Sequence, residues 1–327
     1  MAAREIIPMR VPTPFAVGDV IVYLVKDEAL TLIDCGPNTK EAAESLSRQL
    51  AENGAAISDI EQVVLTHHHA DHSGLLHLFS EQTEIIGHPL NERYITQDKL
   101  YMAQQEHFFL RLLTDMGVPI TPEDIHKTIK MSYLFSAKRS LTKTVRENGK
   151  IDGLDGWTVL EIPGHAASHI ALFHEESGKM FSGDLLLSNS STNPILEAPE
   201  QGSGRTSPML DYVKSMKRLY DINPSIAYPG HGDLLTQVRP AADRRLEKQR
   251  NRAEYVLHML SEETLTAYQV CRRLFPAVYE NELFLTMSET IGHLDVLAAE
   301  GSVVSFQSEN TLMFKAVGGE ESGPINR

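Results

Sequence analysis

Between Val63 and Leu76 an apolar, β-branched strand runs into Thr66-His67-His68-His69-Ala70-Asp71-His72 and then into Ser73-Gly74-Leu75-Leu76, which reads as the first turn of a helix. This stretch limits the possible folds more than any other. Four imidazoles and a carboxylate must sit on a strand-to-helix connection, where a loop aims several side chains at one point. A lone histidine on a strand is ordinarily a satisfied structural residue, and a histidine run can be a tag. A tag lies at a terminus, however, and is not buttressed by an apolar strand. His67 and His69 are spaced to chelate one cation, and Asp71 and His72 to reach a second beside it. Imidazole plus carboxylate is the ligand set zinc prefers, and iron, manganese and nickel accept it.

The pattern His67-x-His69-x-Asp71-His72 resembles the H-x-H-x-D-H signature of the metallo-β-lactamase superfamily. That resemblance implies an α/β fold, an αββα sandwich, and hydrolytic chemistry at two metals, with further motifs downstream in fixed order. Pro163-Gly164-His165 matches the turn that supplies the third ligand of the first metal, Gly183-Asp184 the bridging carboxylate, and Pro229-Gly230-His231 the last ligand of the second metal. By the same resemblance Asp34, at the end of the strand Leu30-Thr31-Leu32-Ile33, supports the ligands from behind, and His169 is a supporting residue rather than a ligand.

Carried onto this chain, the resemblance gives His67, His69 and His165 to one cation, Asp71, His72 and His231 to the other, and Asp184 to both. Two zinc ions are the expected cofactors, with iron or manganese acceptable. A hydroxide held between them attacks an electrophilic carbonyl or phosphorus, and Asp71 orients it and accepts a proton. The position of His69 holds histidine rather than glutamate, against a diiron flavoprotein, and no cysteine stands among the ligands. The leading expectation is hydrolysis of a thioester or similar small acyl ester. The alternatives are an RNA or other phosphodiester hydrolase, a lactonase, a mononuclear iron sulfur dioxygenase, and a non-catalytic metal-binding regulator.

The 327 residues allow one large domain and a small one. Residues 1–238 read as the catalytic domain, with a helical cap inserted at about 90–150, and 239–317 as a winged-helix-like module of short helices and a hairpin, followed by a disordered tail at 318–327. Aromatics of the insertion (Tyr94, Tyr101, Phe108, Phe109) are expected to hold the acyl part of a substrate, and its cations (Lys127, Lys130, Lys138, Arg139, Lys143) to form a solvated face. The loop from Ser188 to Arg205 is expected to wall the pocket, His88 to be structural, and His174 to lie at the surface. Arg244, Arg245, Lys248, Arg250 and Arg252 cluster on a charged helix of the C-terminal part.

A net charge of −14 argues against a broad nucleic-acid surface, so the small C-terminal module reads first as a packing or dimerisation element. The expected partners are a small acyl substrate and a second copy in a homodimer, with nucleic acid second to these. No apolar run is long enough to span a bilayer, the N-terminus lacks a signal-peptide apolar region, and Cys35 and Cys271 make no disulfide framework. The cytoplasm is the expected location.

Overall fold

Strands β1 (Glu5–Val11) and β2 (Val20–Lys26) form an antiparallel hairpin whose alternation decides the layering. Val20, Val22 and Leu24 face one way and Ile21, Tyr23 and Val25 the other, and both sets are buried. A strand apolar on both faces has to lie between two layers. The computed structural model describes residues 5–188, 190–200 and 203–318. In it β3 (Leu30–Ile33), β4 (Gln62–Val64), β5 (Glu84–Gly87) and β6 (Lys143–Thr144) extend this hairpin into a six-stranded sheet in order β1-β2-β3-β4-β5-β6, parallel from β3 onward. A four-stranded sheet, β10-β9-β8-β7, is built from β7 (Trp157–Glu161), β8 (Ile170–His174), β9 (Lys179–Gly183) and β10 (Ile226–Pro229).

The two sheets face each other across Ile21, Tyr23, Val25, Ile33, Val64 and Ile86 on one side and Trp157, Val159, Ile170, Leu172 and Phe181 on the other. Helix α1 (Lys40–Glu52) covers the first sheet. Thr39 caps its start by accepting from the Ala42 backbone N–H, and Ala42, Leu46 and Leu50 recur every four residues to form its buried stripe. Burying Leu46 and Leu50 is worth roughly 1.5–3 kcal/mol each. The short α2 (Ala70–Ser73) follows β4 directly. Next come α3 (Glu92–Ile95), α4 (Lys99–Asp115) and α5 (Pro122–Ser132). Helix α6 (Pro208–Ile222) covers the second sheet through Met209, Tyr212, Met216 and Leu219, joined by Val238 and Ala242 at the start of α7 (Val238–Glu262). The result is the αββα sandwich.

The rest of the chain forms a second core. After β11 (Leu265–Thr266) come α8 (Ala267–Leu274), α9 (Leu283–Ala299) and the hairpin β12 (Val303–Ser308) and β13 (Thr311–Ala316), in a three-stranded sheet β11-β13-β12. The inserted helices α4 and α5 pack into this core: Phe109, Leu112, Leu113, Ile125 and Ile129 meet Ala253 and Val256 of α7 and Met287, Ile291 and Leu294 of α9. The insertion therefore joins the C-terminal elements, and α7 serves both cores. Phe109 is core, not a free platform for an acyl chain. Residues 319–327 of the expected tail lie outside the described residues. His174 is a correction: it is buried, edge-on to Trp157 at 5.4 Å, because the Trp157 strand pairs with it across the sheet. No helix among the described residues is long and apolar enough to cross a membrane.

Candidate metal centre

The ends of β3, β4, β9 and β10 lie along one edge of the sandwich, and each passes into a turn that carries part of the site. β4 leads to His67, His69, Asp71 and His72; β9 ends at Gly183-Asp184; β10 ends in the Pro229-Gly230-His231 turn; and His165 sits between β7 and β8. Ligand-type atoms gather in three overlapping groups: His67, His69 and His165; His67, His72 and Asp184; and Asp71, His72 and His231, each group within 4.8 Å. All seven side chains that the sequence singles out are thus brought together.

The hydrogen bonds behind the rings fix their tautomers. His165 Nδ1 faces the Asn193 carbonyl at 2.9 Å and His231 Nδ1 the Asp19 carbonyl at 2.8 Å, so both carry their hydrogen on Nδ1. His72 Nδ1 lies 2.8 Å from Asp34 Oδ2, an acceptor, and donates likewise. The Thr66 hydroxyl gives its single proton to Asp34 at 2.8 Å, so it accepts from His67 Nδ1 at 3.0 Å. In each of the four rings Nε2 is left as a lone pair directed inward. What these lone pairs meet is carboxylate oxygen: His231 Nε2 lies 3.2 Å from Asp71 Oδ2, His165 Nε2 3.5 Å from Asp184 Oδ2, and His72 Nε2 3.6 Å from Asp184 Oδ1.

Acceptors facing acceptors need something positive between them. The Nε2 atoms of His67, His72, His165 and His231 and Asp184 Oδ1 are buried with no hydrogen-bond partner among the described residues. Ligands held about 2.0–2.2 Å from a tetrahedral zinc stand roughly 3.3–3.6 Å apart, close to the separations above. The donor set fits divalent cations.

Electrostatics agree. Burial, then the neighbouring imidazoles, holds His67 and His69 well below the usual histidine range, and burial keeps His165 low against the pull of Asp184. These three are neutral, as ligands must be. Burial works against charge on His72 and His231 too, but the carboxylates of Asp184, Asp71 and (for His72) Asp34 raise both above the ordinary range. Burial likewise opposes ionisation of Asp71 and Asp184, yet His72 and His231 hold both below the ordinary carboxylate range. Negative charge that favours protons on these rings favours a dication equally.

Close backbone approach makes room for this convergence. A Cβ at Gly230 would stand 2.2 Å from Asp184 Oδ1 and 2.7 Å from His72 Cε1, so only glycine fits. Asp34 itself has φ 61°, the left-handed region, and its Oδ1 accepts from the Thr66 backbone N–H at 2.8 Å. His169 is placed behind the site, its Nε2 accepting from the Asp184 N–H at 3.2 Å.

Several functional groups had no signal in the sequence. The carbonyls of Asp19 and Asn193 belong to unremarkable residues. Glu197 is buried, its Oε1 accepting from Ala167 N–H at 2.7 Å and its Oε2 from the Tyr94 hydroxyl at 2.6 Å. Tyr94 stacks on His68 with ring centroids 3.4 Å apart. His68, whose Nδ1 meets Ser168 Oγ at 2.9 Å, belongs to none of the three donor groups and lies beside them, its ring 4.8 Å from that of His69.

Fold and site together define the class. The family model described as the metallo-β-lactamase superfamily matches residues 16–231, and the chain belongs to that superfamily, as a metal-dependent hydrolase. Among individual proteins, it is 59% identical over 317 residues to a Bacillus subtilis protein named probable metallo-hydrolase YqjP, covering 97% of this chain and 99% of that one. The solved structure of a metallo-β-lactamase family protein from Thermus thermophilus superposes with a TM-score of 0.79 at 27% identity, covering 95% of this chain and 98% of that one. A more distant relative, an atrochrysone carboxyl ACP thioesterase of Aspergillus fumigatus, is 24% identical over 231 residues, 71% of this chain and 41% of that protein.

Proposed function

We propose that the protein is a binuclear hydrolase of thioesters or similar small acyl esters. The observation that carries the binuclear part is the Asp184 carboxylate, which has one oxygen 3.6 Å from His72 Nε2 and the other 3.5 Å from His165 Nε2. It stands between two groups of donors. His67, His69 and His165 would hold one cation, Asp71, His72 and His231 the other, and Asp184 both; zinc fits this set best, and iron or manganese also fit. Two such cations would supply an ionised water near neutral pH and polarise an acyl oxygen.

The chain's own groups do the rest. Asp71 Oδ2 stands 3.2 Å from His231 Nε2 at the site's partly open side, where a carboxylate can orient the attacking water and take its proton. Asp34, Asn193 and Asp19 hold the rings so that no reorganisation is needed at the moment of reaction. The acyl reading is supported by an apolar pair on the loop that leads to the site. Phe15 packs edge-on against Phe135 with centroids 5.5 Å apart, and its loop runs on to Asp19, which holds His231. The thioesterase relative points the same way.

A panel of acyl-thioesters, lactones, bis(p-nitrophenyl) phosphate and short single-stranded RNA tests this, with metal analysis alongside. Thioester turnover with two cations per chain is the expected result. Cleavage of RNA with thioesters untouched would sink the acyl reading, and a single iron per chain the binuclear one.

A further inference from the structure

Helix α7 carries Arg245 and Lys248 about one turn apart, and both reach toward the segment that crosses the metal centre. Arg245 donates to Ser191 Oγ and to the Ser190 carbonyl, and Lys248 Nζ donates to the same Ser191 Oγ at 2.8 Å. Two positive charges converge on one neutral hydroxyl oxygen. Two other cations of this helix are matched by acids, Arg250 by Glu254 and Glu300 and Arg252 by Glu289, and Arg239 lies over the Tyr220 ring. Arg245 and Lys248 form no such ion pair among the described residues. Partial burial first, and then the charges of Arg252 and Arg245, lower Lys248 below the ordinary lysine range.

The polar groups alongside are also unspent. Arg245 Nε is buried with no hydrogen-bond partner among the described residues. One turn further on, Gln249 is 4% exposed and neither its amide oxygen nor its amide nitrogen is hydrogen-bonded. Buried donors of this kind cost stability unless something accepts from them.

The position matters as much as the charge. Ser188 Oγ accepts from the Asp233 N–H at 2.7 Å, just past His231, and the Asn193 carbonyl accepts from His165 at 2.9 Å. The segment bearing Ser190 and Ser191 therefore runs from one ligand turn to the other. Ser191 precedes Asn193 by two residues, at most about 7 Å of chain.

We propose that Arg245 and Lys248 form an oxyanion-binding subsite beside the metal centre, which takes the carboxylate or phosphate of an acidic substrate where the Ser191 hydroxyl now sits. The guanidinium supplies a planar fork and the ammonium a point charge, a donor pair suited to either anion. The use of thioesters as probes rests on the acyl-hydrolase reading; the subsite itself does not.

The test uses the metal-loaded full chain and two matched pairs of probes. Binding of 4′-phosphopantetheine against pantetheine, and of succinate against succinamide, is measured by isothermal titration. The corresponding ratios of kcat/KM are measured for thioesters of phosphopantetheine against pantetheine and for S-succinyl against S-butyryl pantetheine. In the wild type the anionic member of at least one pair is expected to be preferred about tenfold or more. That preference collapses toward one in R245Q/K248Q and survives in R244Q. Which pair discriminates names the anion. If the double variant melts early, K248Q, at an exposed side chain, carries the same comparison with a smaller loss. The proposal is overturned if the wild type discriminates in neither pair, or if discrimination persists in the double variant. If no thioester turns over but an anionic probe still binds through Arg245 and Lys248, the acyl-hydrolase reading fails and the subsite stands.

Discussion

Asp34 Oδ2 lies 2.8 Å from His72 Nδ1, and the same oxygen receives the Thr66 hydroxyl that holds His67. One buried carboxylate thus orients two rings that, in the proposed binuclear site, would hold different cations. Its backbone is left-handed, at φ 61°, a conformation that costs most side chains roughly 1–2 kcal/mol and asparagine little. Asp34→Asn therefore removes the charge with the backbone left in place. Affinity for both cations is expected to fall about 10–100-fold. Competition with a chelator, run beside the wild type, reads this directly; unchanged affinity would show that His72 and His67 need no such anchor.

The Gly230 backbone passes so close to Asp184 that a single methyl group would strike both Asp184 and His72. Gly230→Ala is expected to lose at least one cation and nearly all turnover, while the melting temperature of chelator-treated protein stays within a few degrees. Metal content by mass spectrometry and a circular-dichroism melt check the two halves. A fully loaded, active variant would mean that the turn is free to move aside.

At Asp71 two roles are combined, since the side chain sits 3.2 Å from His231 Nε2 and is also the proton acceptor of the proposed reaction. Asp71→Asn keeps the shape and one oxygen but cannot take a proton. A fall in kcat of about 100-fold or more is expected. Comparison at saturating metal separates the two roles, because a loss that excess cation restores would be a ligand effect alone.

How far the sequence reached depended on the kind of group. His67 was legible from the density of imidazoles around it, whereas Asp184 and His231 were legible only through the fixed order of the family's motifs, since a lone Gly-Asp says little. The carbonyls of Asp19 and Asn193 were not, since every residue presents a carbonyl and only the fold decides which one meets a ring. The sequence placed Phe109 and Leu112 on a helical stretch but not what that stretch packs against, and the partner is the C-terminal core rather than a substrate. Charge alone likewise could not separate Arg245, which grips a serine, from Arg250, which is paired with glutamates. His174 was expected at the surface, and strand pairing with Trp157, which only the fold reveals, buries it.

Burial holds the His68 imidazole down to about 4 from an unfolded value of 6.5. The folded protein then binds fewer protons at this site than the unfolded chain throughout that window. Its stabilising contribution is complete above pH 6.5 and is lost as the pH falls toward 4. The full excursion is worth about 3 kcal/mol. His68→Phe keeps a ring to stack on Tyr94 and removes the titration. Chelator-treated His68→Phe is expected to show a shallower loss of urea-unfolding free energy between pH 6.5 and 4 than the chelator-treated parent. Because His68 belongs to none of the donor groups, the variant should load metal normally; a loss of cations would place the ring in the site after all.

Ser288 of α9 ties the C-terminal core to one side of the metal centre. Its hydroxyl donates to the Pro194 carbonyl at 2.8 Å and accepts from the Leu196 N–H at 2.7 Å, while Asn193 Nδ2 donates to the Leu285 carbonyl at 3.0 Å. These bonds fix the segment whose Asn193 carbonyl orients His165, whereas His231 is held from Asp19 at the opposite end of the chain. Ser288→Ala should therefore weaken the cation held by His67, His69 and His165 more than the other. It also leaves two buried backbone groups unpaired, at about 1–3 kcal/mol each, so the melting temperature falls as well. Cobalt titration followed by absorbance distinguishes the effects: the two binding steps should separate in Ser288→Ala and come back together in Ser288→Thr, which retains the hydroxyl. Were both steps weakened equally, Ser288 would be a packing residue only, because a general loosening of the fold has no reason to prefer His165 over His231.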